Sequence, residues 1–198
     1  KHRFGTTDES ALLQMDEQGL KEVLDPSAAL LADRPQGAPG TIVTCFPEGA
    51  RPLLGEIQAL VPPAGYATPA RRAGGVDTTR LNLLLAVLTR RCGIPFGEQD
   101  VFVNAIGGVQ LDDPSVDLGI ALALASAKLD IAIPESVCAW GEVGLAGELR
   151  PVRLGTQRVK EANRLGFKTL IVPAGGPELS GTGIIRCKTV REALERIR

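Results

Sequence analysis

The sequence predicts an α/β fold (α+β in the broader sense), a mixed sheet packed with helices. Three observations lead there. Strands and helices alternate through the second half, a hairpin pattern opens the main domain, and one long helical segment is apolar almost all round. A helix without a polar face has to be buried centrally, and a sheet is the surface that can bury it.

Residues 1–40 read as a connector and residues 41–198 as the main domain. Within the connector, Ala11–Met15 suggests a short strand, while Gly19–Leu24 and Pro26–Leu31 suggest helical turns. The loop from Arg34 to Gly40, rich in Pro and Gly, marks the boundary. Thr41–Phe46 and Arg51–Val61 follow as strands joined by a turn at Pro47–Ala50. In the second strand Leu53, Gly55, Ile57, Ala59 and Val61 share one nearly apolar face, which should meet the core.

Asp77 or Thr78 caps a helix at Thr79–Cys92, with Leu81, Leu84, Leu85 and Leu88 at helical spacing and Gly93-Ile94-Pro95 as its stop. Val101–Ile106 is a strand. Asp113 then caps the apolar helix, with Pro114 at its first position, and the helix runs to about Leu129. The last part repeats the logic. A strand at Val137–Trp140, a glycine-rich turn at Gly141–Gly147 and a helix at Thr156–Leu165 lead to strands at Lys168–Val172 and Gly183–Cys187, then a helix at Val190–Ile197.

Composition excludes several chemistries. The 198 residues, 44% hydrophobic and 23% charged, suit a globular core. The longest apolar runs, Leu81–Leu88 and Leu118–Ala127, are too short to cross a bilayer, and no signal peptide is evident, so a soluble protein of the cytosol is expected. A net charge of −1 means that nucleic-acid binding would need a local basic patch. Cys45, Cys92, Cys138 and Cys187 form no CxxC pair and are expected to be reduced, buried thiols rather than metal ligands. The single histidine, His2, rules out a Ser-His-Asp triad, Cys-His catalysis and histidine-rich metal sites.

Two motifs carry the functional reading. In Lys1-His2-Arg3-Phe4-Gly5 two cations beside an aromatic suit phosphate and base contact, the plain alternative being a stray basic end. The second motif is the block from Gly107 to Pro173, with Asp112-Asp113-Pro114-Ser115-Val116-Asp117, then Trp140-Gly141-Glu142-Val143-Gly144-Leu145-Ala146-Gly147-Glu148, then Gly166-Phe167-Lys168-Thr169-Leu170-Ile171-Val172-Pro173. It resembles the proteolytic domain of Lon-type ATP-dependent proteases, of the ribosomal-protein-type βαβ superfamily. The resemblance puts Ser115 at the nucleophile's place and Thr156 at the catalytic lysine's. A threonine cannot serve as that base, and Asp117 beside Ser115 would hold a nearby lysine charged. No catalytic residue is therefore assigned, although Lys160, one turn beyond Thr156, leaves a relocated dyad as an alternative.

A Lon-like domain without its dyad, preceded by a K-x-R-F-G segment, resembles the RadA (or Sms) family of bacterial DNA-repair proteins. Arg51-Pro52-Leu53-Leu54-Gly55-Glu56-Ile57-Gln58-Ala59-Leu60-Val61 and Asn104-Ala105-Ile106-Gly107-Gly108-Val109 agree as well, while His2 departs from the family's asparagine. The resemblance implies a zinc-binding motif and a RecA-like ATPase upstream. Zinc, ATP and magnesium would belong to those parts, with no cofactor in this stretch. The sequence has no GxxxxGK(S/T) loop, so the fragment itself is expected not to be an enzyme, within a parent that is a DNA-dependent ATP hydrolase.

The resemblance further implies a role in recombinational repair, through branch migration and processing of intermediates in the bacterial cytosol. A hexameric ring would act on single-stranded or branched DNA together with a recombinase. Lys1, Arg3, Phe4 and Gly5 would couple the motor to DNA or to nucleotide turnover. Arg71, Arg72, Arg80, Arg90 and Arg91 are the candidates for a DNA-binding surface, and Arg150, Arg153, Arg158 and Lys160 form a second group. Ordinary solvated charge is the plain alternative for both. Three readings stay open: a DNA-binding scaffold, a serine peptidase with a displaced lysine, and an oligomerisation domain without DNA contact.

Overall fold

The computed structural model describes residues 12–16, 19–65 and 68–197. The segment Lys1, Arg3, Phe4 and Gly5 lies outside the described residues. Among those described, no helix is long and apolar enough to cross a membrane.

Strands β1 (Leu12–Asp16) and β2 (Gly19–Val23) form a separate antiparallel ribbon, Leu12 opposite Val23 and Asp16 opposite Gly19. The helical turn expected at Gly19–Leu24 is therefore a strand, because β1 supplies a ladder that local propensity does not foresee. Helix α1 (Pro26–Leu30) follows, and the Asp25 carboxylate accepts the Ala28 N–H at 3.1 Å. Though it belongs to the expected connector, α1 is built into the domain. Buried Ser27 accepts the Leu54 N–H at 3.1 Å and donates to Glu161 at 2.7 Å.

The main sheet has seven strands in the order β11-β10-β7-β3-β4-β6-β5. Strands β3 (Thr41–Glu48) and β4 (Arg51–Leu60) are an antiparallel hairpin, with Glu48 opposite Arg51, so the turn shrinks to Gly49-Ala50. Strand β5 (Arg71–Gly74) pairs parallel with β6 (Val101–Ala105), which runs antiparallel to β4. Strand β7 (Val137–Ala139) lies parallel to β3 and to β10 (Thr169–Pro173), and β10 lies parallel to β11 (Ile184–Cys187). The glycine-rich turn after β7 folds into a small hairpin, β8 (Glu142–Val143) with β9 (Leu149–Arg150). The sheet is thus mixed and mostly parallel, with helices packed on it, as the alternation of elements predicts.

One face carries α2 (Thr78–Cys92), α3 (Asp117–Leu129) and α5 (Val190–Leu194). Asp77 caps α2 by accepting the Arg80 N–H at 2.7 Å. Gly93 closes it at φ 72°, a left-handed conformation that costs glycine little. A 3₁₀ turn at Pro114–Val116, capped by Asp113, leads into α3, whose first ten residues, Asp117–Ser126, are all buried. Full burial of each leucine there is worth about 1.5–3 kcal/mol. Leu53, Ile57 and Ala59 of β4 join this core, as their alternation predicts.

The opposite face is covered by α1 and by α4 (Gly155–Arg164). A smaller core of Val43, Cys45, Leu54, Cys138, Trp140, Val159, Phe167 and Leu170 lies beneath them. That cover reaches only the first half of β4. The rest of this face, over the end of β4, β6 and β5, carries the exposed residues Leu60, Phe102 and Arg72.

Candidate functional site

Ser115 stands in the 3₁₀ turn that Asp113 and Pro114 impose, its N–H donating to the Asp113 carboxylate at 2.9 Å. The side chain is fully buried, and its hydroxyl donates to the Cys45 carbonyl at 3.4 Å. Thr156 and Lys160 are exposed on α4, turned away from the buried face formed by Arg158, Val159 and Ala162. Arg158 takes the interior place. Its guanidinium donates to the same Cys45 carbonyl and, at 2.9 Å, to the Arg153 carbonyl. Asp113 lies 4.0 Å from Nη2, which has no hydrogen-bond partner among the described residues.

This geometry corrects the grouping of Arg158 with surface cations. One helical turn before Ala162, it points into the sheet, and it is fully buried. A guanidinium stays protonated and cannot take a proton from Ser115. Cys45, between them, has its thiol pushed up to about 12 by burial. The Ser115 hydroxyl thus shares one carbonyl with the Arg158 guanidinium and bonds to no side-chain base among the described residues, an arrangement that anchors α4 to β3.

The Asp117 carboxylate is also engaged. One Arg80 nitrogen donates to both of its oxygens, at 2.6 and 2.7 Å, and the Val143 N–H donates at 3.2 Å. Burial pushes the Asp117 carboxyl above the usual carboxylate range, against the pull of Arg80. The pair ties the first turns of α2 and α3 together and to β8.

The five arginines expected to form one surface are divided. Arg80 is bound to Asp117. Arg71 donates to the backbone carbonyls of Ala70 at 3.0 Å, Phe96 at 2.8 Å and Gln99, holding the approach to β6. Arg90 and Arg91 are exposed at the end of α2, where the Arg91 Nε donates to the Leu145 carbonyl at 3.3 Å. Arg72 is exposed on β5, on the sheet face opposite α2. In the second group, Arg150 pairs with Glu148 at 2.7 Å, while Arg153 and Lys160 are exposed. Sequence reasoning could not see this division, since each arginine reads alike until its neighbours are placed.

All four cysteines are free thiols; Cys45, Cys138 and Cys187 are buried and Cys92 only partly so, short of the burial expected for it. Among the described residues, no group of three or more His, Cys, Asp or Glu is arranged to hold a metal.

Residues 82–176 match the family described as Subunit ChlI of Mg-chelatase. The chain is also similar to DNA repair protein RadA of Bacillus subtilis strain 168, at 44% identity over 98% of this chain and 43% of that protein. DNA repair protein RadA of Escherichia coli K12 is 45% identical over 98% of this chain and 43% of its own length. For the protein of that name from Mycolicibacterium smegmatis the figures are 44%, 100% and 42%. The chain therefore spans less than half the length of these relatives.

The match to Mg-chelatase corrects the expectation that this fragment is not an enzyme, because the matched segment is one that an enzyme subunit carries. A missing lysine excludes only one form of serine chemistry, and a missing GxxxxGK(S/T) loop excludes only one way of holding phosphates.

Proposed function

Because this chain belongs to the family of the bacterial DNA repair proteins RadA, we propose that it serves as the DNA-facing and ring-assembly part of an ATP-driven repair motor. The observation that carries this reading is identity of 44–45% to such proteins over 98–100% of the chain. Within it, the fold is that of the Lon proteolytic domain. In support, the Pro114–Ser115 step starts the buried helix, the Gly-Glu hairpin follows, and α4 comes next in the same order.

The DNA contact is electrostatic and falls to the exposed cations, Arg90 and Arg91 at the end of α2 and Arg72 on β5. A chain of net charge −1 binds weakly alone, and a hexameric ring presents six such patches together. Lys1, Arg3, Phe4 and Gly5 couple this part to the motor. Branched recombination intermediates, handled beside a recombinase, are the substrate class. Ser115 serves the packing of α4 and not peptide cleavage.

Fluorescence anisotropy with single-stranded and branched oligonucleotides, over a salt series, tests the proposal. Binding that weakens with salt, and weakens further in the double variant Arg90→Glu and Arg91→Glu, is expected. Absence of binding at low salt, or casein cleavage that depends on Ser115, would overturn it.

A further inference from the structure

We propose that the uncovered sheet face over β4, β6 and β5 is a stacking platform for the bases of single-stranded nucleic acid; this rests on the DNA-binding reading above. The register builds the platform in two ranks. Leu60 pairs with Phe102, and Phe102 with Arg72, so these three lie side by side across three strands. In the next rank Gln58 pairs with Asn104, and Asn104 with Gly74. All six belong to the face away from α2 and α3, because Ile57, Ala59, Val101, Val103 and Ala105 fill the other.

The composition of this face names its ligand. Leu60 is 63% exposed and Phe102 37%, so an apolar surface is open to solvent at the β5 end of the sheet. The six residues line an open depression of about 570 Å³, walled by Pro35, Ala38 and Pro39, in which Arg72 is the only charged residue among those described. The nearest acid on the same face of β4, Glu56, is 1% exposed and is held by the Gln58 amide at 3.1 Å. Gly74 keeps the second rank low, since a Cβ there would stand 2.5 Å from the Asn104 Oδ1. An exposed ring takes the face of an unstacked base, an adjacent guanidinium takes phosphate, and amides reach base edges. Duplex DNA, whose bases are already stacked, offers nothing to the ring. A second copy of the chain fits less well, because a two-fold contact offers the same face back, and among the described residues lining it there is no acid to pair with Arg72.

The test uses the chain with an oligothymidylate, a duplex of equal length and a salt series. Phe102→Ala is expected to weaken oligothymidylate binding about tenfold and to leave duplex binding unchanged. Arg72→Gln is expected to lower the salt slope for the single strand by about 0.7. Phe102→Trp should retain binding, with fluorescence quenched by the oligonucleotide. Trp140, the sole native tryptophan, is 1% exposed and should contribute no such signal. If wild type binds DNA and Phe102→Ala, folded by circular dichroism, binds oligothymidylate equally well, the platform is overturned and the DNA reading stands. If wild type binds no DNA, both fall. Should Phe102→Ala instead dissociate an oligomer in sedimentation, the face is a contact between copies and the platform is likewise overturned.

Discussion

The guanidinium of Arg80 places one nitrogen against both carboxylate oxygens of Asp117, at 2.6 and 2.7 Å, with the Asp117 side chain only 2% exposed. A cation that sequence reasoning offered to DNA is thus the counter-charge of a buried acid. Arg80→Ala strands that acid, and a loss of about 3–5 kcal/mol is expected in denaturant unfolding at neutral pH. The pH dependence has a definite sign. Because burial raises the folded-state value of Asp117, the fold favours its protonated form, and that contribution fades as pH rises from the ordinary aspartate range through the raised value. The deficit of Arg80→Ala should therefore shrink on acidification. It should also be smaller when Asp117→Asn is added, and a double variant as unstable as the single one would refute the pairing.

Ser115 and Arg158 make a second structural pair through the Cys45 carbonyl, and the two side chains should differ sharply in their cost. Ser115→Ala removes one long hydrogen bond of a carbonyl that keeps another donor, so a change below about 1 kcal/mol is expected. Arg158→Ala empties a fully buried volume and strips donors from two carbonyls, for a loss of about 2–4 kcal/mol. Thermal unfolding of the two variants checks the contrast. Equal losses would mean that Arg158 is not the anchor of α4.

How much of this was legible in the sequence depended on how local each signal was. The caps at Asp77 and Asp113, the stop at Gly93 and the inward face of β4 follow from neighbouring residues, and they stand where expected. Strand β5 did not announce itself, because its four residues, two of them arginines, become a strand only by pairing with β6. The division of the arginines was hidden for the same reason. Arg71, Arg80 and Arg158 each bond to groups at least 25 positions away in the chain, and no spacing rule carries that information. The platform of Leu60, Phe102 and Arg72 was equally hidden, since only the register brings three strands into one rank.

The clamp between α1 and α4 should make the chain acid-sensitive. Arg164 donates to both oxygens of Asp25, at 2.6 and 2.8 Å, and holds that carboxyl down to about 2; it also lowers Glu161. A depressed folded value means stability that is fully present above the ordinary carboxylate range and lost as pH falls from about 4 to about 2. Both partners are more than a third exposed, so solvent screening keeps the contribution of the pair below about 1 kcal/mol. Unfolding curves at pH 6 and pH 3 should converge for wild type and Asp25→Asn as the acid is approached, with wild type ahead at pH 6. A constant difference between them would remove the clamp from the account.

The thiols offer a test of the two cores that needs no substitution. Cys45 and Cys138 lie in the smaller core with their thiols driven far toward the neutral form by burial, and the nucleophile in disulfide exchange is the thiolate. Cys187 is buried in the larger core, while Cys92, at the end of α2, is the one thiol with partial exposure. An aromatic disulfide reagent at pH 8 should thus label Cys92 first, slowly because its thiol is also raised, and should reach the other three only as the chain unfolds. Denaturant should merge these phases into one. Rapid labelling of Cys45 in the folded chain would mean that α1 and α4 open away from the sheet, and the anchor built on Arg158 would then be the first contact to question.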